Sequence, residues 1–98
     1  MLCSMVLNLV HLHEFDLNLL IMFDVIMSER SIAGASARLN RSQSAVSHAL
    51  GRMRKLVGDE LFTREPDGMR PTPRALLLAL PVRKALSDIE AATVATNA

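Results

Sequence analysis

The chain has no tryptophan and no tyrosine, and only three of its 98 residues are aromatic, all phenylalanine. A sheet-rich core is ordinarily built from aromatic and β-branched residues, so the apolar half of this composition points instead to Leu/Met/Ile/Ala helices. There is one cysteine, Cys3, which excludes an internal disulfide and a cysteine-based zinc site and fits a reducing cytoplasm. There is no glycine-rich phosphate loop, no nucleophile with an adjacent base and no carboxylate cluster, so the chain does not read as an enzyme and no cofactor is implied. His11 and His13 have no carboxylate partners, and no metal site is expected. The apolar start, MLCSMVLNLV, lacks a basic leader and is too short to span a bilayer, so no membrane association is implied. Ninety-eight residues allow one small domain with an added helix. A helical core of that size is marginal alone, which makes a partner surface plausible.

A more local absence organises the rest. Residues 41–58 contain no acid. Formal net charge is only +1, but its distribution is uneven. Residues 1–40 carry two basic and four acidic side chains, whereas 41–74 carry seven and four. The basic region therefore coincides with the acid-free run.

Within that run Ser42 is a good N-cap for a helix opening at Gln43. Val46, Leu50, Met53 and Val57 form one apolar stripe at i, i+4, i+7 and i+11. Ser44, Ser47, His48, Gly51 and Lys55 fall on the other side. A face meant for water usually mixes Glu with Lys; a face meant for a DNA groove needs short polar groups, no carboxylates and little bulk. A bland amphipathic helix is the competing reading.

In chain order, residues 1–13 read as an extension, or as an added helical turn packing on a partner. Glu14 to Glu29 is the first firm helix, with Asp16 as N-cap. Leu20, Phe23, Ile26 and Met27 make its stripe, while Leu17, Leu19 and Met22 lie off it. A helix apolar on several sides is buried on several sides or meets another chain. Ser31 caps a short helix, Ile32 to Leu39, which Asn40-Arg41 ends. Two helices joined by so short a turn, the second with a polar outer face, form a helix-turn-helix. Gly58-Asp59 ends the third helix. Leu61–Arg64 and Met69–Thr72 flank the turn residues Glu65-Pro66-Asp67-Gly68, which predicts a small β-hairpin wing carrying Arg64 and Arg70. Thr72-Pro73 opens a long helix. Ala75, Ala79, Val82, Leu86 and Ile89 form a heptad-like stripe on it. Pro81 should kink this helix, or break it near Leu80, and Ala91 to Ala98 should fray.

From Asp16 to about Leu86 the chain resembles the N-terminal DNA-binding domain of LysR-type transcriptional regulators. The resemblance rests on DLNLL at 16–20, Phe23, Ser31, Ala35, Leu39, SQSAVSHAL at 42–50, Arg52, LVGDELFTR at 56–64 and RPTPRA at 70–75. It is nearest the branch of nodulation-gene activators, where LFTR and TPRA-type segments are common. It implies a mainly α, winged helix-turn-helix fold: three helices plus a small wing, then a long linker helix that pairs two subunits. The expected organisation is an extension at 1–13, a DNA-binding domain at 14–72 and a linker/dimerisation helix at 73–98. The family's effector domain has no counterpart here, so no inducer site is expected and the chain resembles an isolated fragment or a truncated product. Departures are Gly34, where a larger residue is usual, Ser36, where a second alanine is usual, and Pro81. The first two should weaken the second helix slightly.

The implied partner is double-stranded DNA, bound by a cytoplasmic homodimer on a two-fold related site. Gln43, Ser44, Ser47 and His48 are the base-edge candidates. Ser42, Arg52, Arg54, Lys55, Arg64 and Arg70 are the phosphate or minor-groove candidates, although one basic residue at the helix end can instead pair with Asp59 or Glu60. Leu19, Met22 and the Ala75–Ala79–Val82–Leu86–Ile89 stripe are the dimerisation candidates. A dimerisation module that pairs with full-length regulators without binding DNA is the alternative.

Overall fold

The computed structural model describes residues 9–97; Cys3 and the rest of the first eight residues, with Ala98, lie outside them. Five helices and one hairpin follow in order: α1 (Leu9–Glu14), α2 (Leu17–Glu29), α3 (Ile32–Leu39), α4 (Gln43–Val57), β1 (Phe62–Glu65), β2 (Gly68–Pro71) and α5 (Pro73–Asn97). The mainly α, winged helix-turn-helix architecture expected above is the one observed.

Helices α2 to α5 each begin on a side chain that satisfies a free backbone N–H. The Asp16 carboxylate accepts from Leu19 N–H at 3.1 Å, Ser31 Oγ from Gly34 at 2.9 Å, and Ser42 Oγ from Ala45 at 3.0 Å. Thr72 Oγ1 does the same for Ala75 at 3.2 Å. Three helices end on a left-handed residue: Arg30, Asn40 and Gly58. At Asn40 the bonds Asn40 N–H to Ala37 O and Arg41 N–H to Ser36 O form a Schellman cap. Ser36 Oγ also donates to the Arg41 carbonyl. The residue expected to weaken this helix therefore ties its end to the following turn.

The core is a single cluster. Leu19, Met22, Phe23, Val25 and Ile26 of α2 meet Ala35 of α3, Val46, Ala49, Leu50 and Met53 of α4, and Leu61, Phe62, Met69 and Ala75 beyond. The Phe23 and Phe62 rings lie 5.6 Å apart, centroid to centroid. Because α2 is surrounded by α3, α4 and α5, its extra apolar positions are filled from within the chain. This corrects the assignment of Leu19 and Met22 to a dimer contact: they are 2% and 4% exposed. Ala75, fully buried, is corrected for the same reason.

The wing is antiparallel, pairing Phe62 with Pro71, Thr63 with Arg70, Arg64 with Met69 and Glu65 with Gly68. It is not free to swing. Met69 N–H donates to the Arg30 carbonyl at 2.8 Å, so the turn between α2 and α3 holds the root of β2. A Cβ on Gly68, whose φ is +137°, would stand 2.4 Å from that carbonyl oxygen. Only glycine fits there.

Two boundaries differ from expectation. The first helix does not begin at Glu14; α1 ends there, and α2 starts afresh at Leu17 behind its Asp16 cap. The last helix stays continuous through Pro81, as far as Asn97. Proline removes one hydrogen bond there, but the buried or half-buried Ala75, Leu78 and Val82 and the Arg83–Asp24 ion pair (3.1 Å) hold both sides of it against the domain.

Candidate nucleic-acid interface

Helix α4 is placed by its apolar side. Val46, Ala49, Leu50 and Met53 are buried, and this presses one side of the helix onto α2 and α3. The opposite side is left bare: Gln43, Ser44, Ser47, His48, Arg52 and Lys55 are all exposed. The four base-edge candidates thus share one open ridge.

Two clefts flank that ridge. One is lined by Asp16 and Asn18 at the start of α2, by Arg41 and Ser42, and by Ser44, His48 and Arg52 of α4. The other lies between α3 and the wing; Ser31, Ala33, Gln43, Ser47, Arg64 and the carboxylate of Glu65 are among its lining. Ser44 and His48 therefore face one cleft, Gln43 and Ser47 the other. Each cleft carries basic side chains near its wall, Arg41 and Arg52 on one side and Arg64 on the other. Arg41 and Asn18 were not among the candidates read from sequence. The signal available was position: Arg41 directly precedes the Ser42 cap, where backbone N–H groups already favour an anion.

The basic residues divide into free and engaged. Arg41, Lys55 and Arg64 take part in no side-chain ion pair among the described residues. Arg52 approaches the Asp16 carboxylate at 3.7 Å, and Arg70 approaches Glu65 at 3.6 Å. Both pairs are exposed, so each is worth well under about 1 kcal/mol and can exchange for another anion.

Arg54 is different. Its Nε donates to the Glu60 carbonyl at 2.7 Å and its Nη2 to the Phe62 carbonyl at 2.8 Å. Its own carbonyl accepts from Gly58 and Asp59. This guanidinium clamps the end of α4 to the start of the wing. Its place among the phosphate candidates is corrected accordingly: the fork is already filled by backbone carbonyls. The anticipated pairing of a basic residue with Glu60 is realised here, at 3.7 Å.

Asp59 completes the junction. Its Oδ2 accepts from Leu61 N–H at 2.8 Å and from the Thr72 hydroxyl at 2.7 Å. The Thr72 hydrogen bond, helped by the Leu61 N–H and the Arg74 charge, holds this carboxyl below the ordinary aspartate range. The contact helps hold Leu61 at φ 65° while it stays fully buried, a conformation that costs about 1–3 kcal/mol and persists only where the surroundings impose it. Helix α4, the wing and α5 are thereby held in one arrangement.

On α5 the expected heptad stripe is covered only in part: Ala75 is buried, Ala79, Val82 and Leu86 are half-buried, and Ile89 is 45% exposed. Val82 packs against the core, while Ala79, Leu86 and Ile89 line grooves shared with α2. Besides Ile89, the apolar side chains left open on α5 are Leu76, Leu77, Leu80 and Val94, which are 54%, 74%, 79% and 61% exposed.

A helix-turn-helix with an anchored wing, and a bare, acid-free face on its second helix, defines the winged helix-turn-helix class. The sequence comparison narrows this. Residues 17–76 match the profile of the bacterial regulatory helix-turn-helix protein, lysR family, and the chain belongs to that family. It is 49% identical over 82 residues to nodulation protein D 2 of Bradyrhizobium sp., covering 84% of this chain and 24% of that protein. It is 44% identical over 81 residues to the transcriptional activator NagR of Ralstonia sp., covering 83% of this chain and 27% of that protein. A probable transcriptional regulator of Pseudomonas aeruginosa, of known crystal structure, superposes with a TM-score of 0.80 at 44% identity, over 84% of this chain and 28% of that one. The chain therefore spans about a quarter of the length of these relatives.

Proposed function

We propose that this chain is a sequence-specific, double-stranded-DNA-binding domain of a transcription regulator, acting as a homodimer on a two-fold related site. The observation that carries the reading is the exposed ridge of Gln43, Ser44, Ser47 and His48, free of carboxylates and flanked by clefts that hold Arg41, Arg52 and Arg64. The relatives' names as regulators support it. Gln43 offers a bidentate donor–acceptor pair to adenine, His48 a donor to guanine or phosphate, and the two serines short adaptable contacts. Arg41, Lys55 and Arg64 supply salt-sensitive grip, with Arg52 and Arg70 recruited by exchange from their weak pairs, and Ser42 adds an uncharged phosphate contact at the helix N-terminus. Residues 14–72 form the DNA-binding unit and 73–98 the pairing helix. The exposed Leu76, Leu77 and Leu80 give that helix its contact, since burying a leucine contributes roughly 1.5–3 kcal/mol. No helix among the described residues is long and apolar enough to cross a membrane. The DNA-bearing cytoplasm is the compartment this reading implies.

The test is fluorescence anisotropy on duplexes selected by the chain from a random-sequence library. Arg64→Ala should weaken binding to all sequences and flatten the salt dependence by about one unit. His48→Ala should instead shift sequence preference. An intact dimer that retains no duplex even at low salt refutes the proposal.

A further inference from the structure

Gly51 stands in the middle of α4, nine residues into a helix of fifteen. Glycine weakens a helix interior because its backbone loses the most freedom on folding. Such a residue is usually explained by the fold: a positive φ, or a neighbour that leaves no room for a Cβ. Neither holds here. Gly51 is not among the residues with left-handed backbone, and a Cβ built on it would meet nothing within 4 Å. Gly34 and Gly68 both answer to internal neighbours, Glu29 and Arg30 respectively. Gly51 answers to none.

Its place on the helix supplies a reason from outside. At 100° per residue Gly51 lies within about 60° of Ser44, Ser47, His48 and Lys55, at the centre of the open ridge. The side chains around it lengthen toward the helix C-terminus, where Arg52 and Lys55 begin. We infer that Gly51 is a positioning residue: its bare Cα is the point at which the helix backbone seats against the wall of the DNA groove, setting how deep Ser47 and His48 reach. The inference rests on the DNA-binding reading of this face. A methyl at this point would hold the helix away from the groove while strengthening the helix itself.

The test compares the 98-residue chain with Gly51→Ala and Gly51→Leu, using duplexes selected by the unsubstituted chain and a mixed-sequence duplex. Gly51→Ala should raise Tm by about 4–8 °C and weaken binding to the selected duplexes. Gly51→Leu should weaken it further, by about tenfold or more. Because the effect is steric, neither change should alter the salt dependence, whereas Lys55→Ala should flatten it. A Gly51→Ala chain that binds the selected duplexes as tightly as the parent overturns the inference and leaves the DNA-binding reading standing. A lowered Tm in Gly51→Ala also overturns it, because the space is then not free. A parent chain that binds no duplex overturns both.

Discussion

Replacing Arg54 with alanine separates a structural cation from a DNA-binding one. Two hydrogen bonds from its guanidinium, at 2.7 and 2.8 Å, end on the carbonyls of Glu60 and Phe62. Charge-assisted bonds to backbone are worth roughly 1.5–3 kcal/mol each when the acceptor is otherwise unsatisfied. The side chain is 35% exposed, so water recovers part of each loss and the lower end applies. The Glu60 carboxylate, at 3.7 Å and itself exposed, adds well under about 1 kcal/mol. The expected destabilisation is about 2–3 kcal/mol, which for a domain of this size lowers Tm by about 10–20 °C. Arg54→Lys should recover only part of it, because an ammonium cannot fork between two carbonyls. Thermal melts followed by circular dichroism measure the loss, and anisotropy well below Tm measures DNA affinity. Lys55→Ala serves as the contrast, with Tm nearly unchanged and affinity reduced. If Arg54→Ala melts within about 2 °C of the parent and loses only DNA affinity, the clamp argument is wrong and Arg54 belongs with the phosphate contacts.

Gly68→Ala should cost about 2–3 kcal/mol, because its Cβ meets the Arg30 carbonyl oxygen at 2.4 Å on a backbone at φ +137°; a denaturant midpoint close to the parent's would refute that geometry. For Asp59 the sign follows from its depressed folded-state pKa. Its contribution is complete above the ordinary aspartate value, about 3.9, and disappears as pH falls through the lower folded value. The Tm gap between the parent and Asp59→Asn should therefore narrow on acidification, and a gap that widens instead would contradict the Thr72–Asp59–Leu61 arrangement. Leu80→Asp, at a position 79% exposed, should leave the helix content intact and shift sedimentation equilibrium from dimer to monomer; an unchanged dimer would move the pairing surface elsewhere.

Local chemistry made much of this protein legible before any coordinates. Asp16, Ser31, Ser42 and Thr72 start helices because each places an oxygen over a free N–H within three residues. Asn40 and Gly58 end them because each tolerates a left-handed backbone. Periodicity alone put Ser44, Ser47 and His48 opposite the stripe that buries α4. Pattern cannot say which apolar face meets the same chain and which meets another. Leu19 and Met22 looked surplus on α2, yet they are buried in the core, on the side that α4 covers. The regular stripe on α5 is buried at Ala75 yet open at Ile89, and the most exposed leucines are those that broke its spacing. Nor can pattern say which arginine is spent on the fold: Arg54 meets the Glu60 and Phe62 carbonyls, whereas Arg52, two residues earlier, lines the cleft beside α4.

The sequence by itself determined the helix-turn-helix, the N-caps, the wing and the acid-free face, because each depends on residues within a few positions of one another. Tertiary structure alone decided the anchoring of the wing at Arg30, the left-handed Leu61, the two clefts beside α4 and the leucines left bare on α5. Those features arise between segments distant in the chain, where a side chain's role is settled by which neighbour reaches it first.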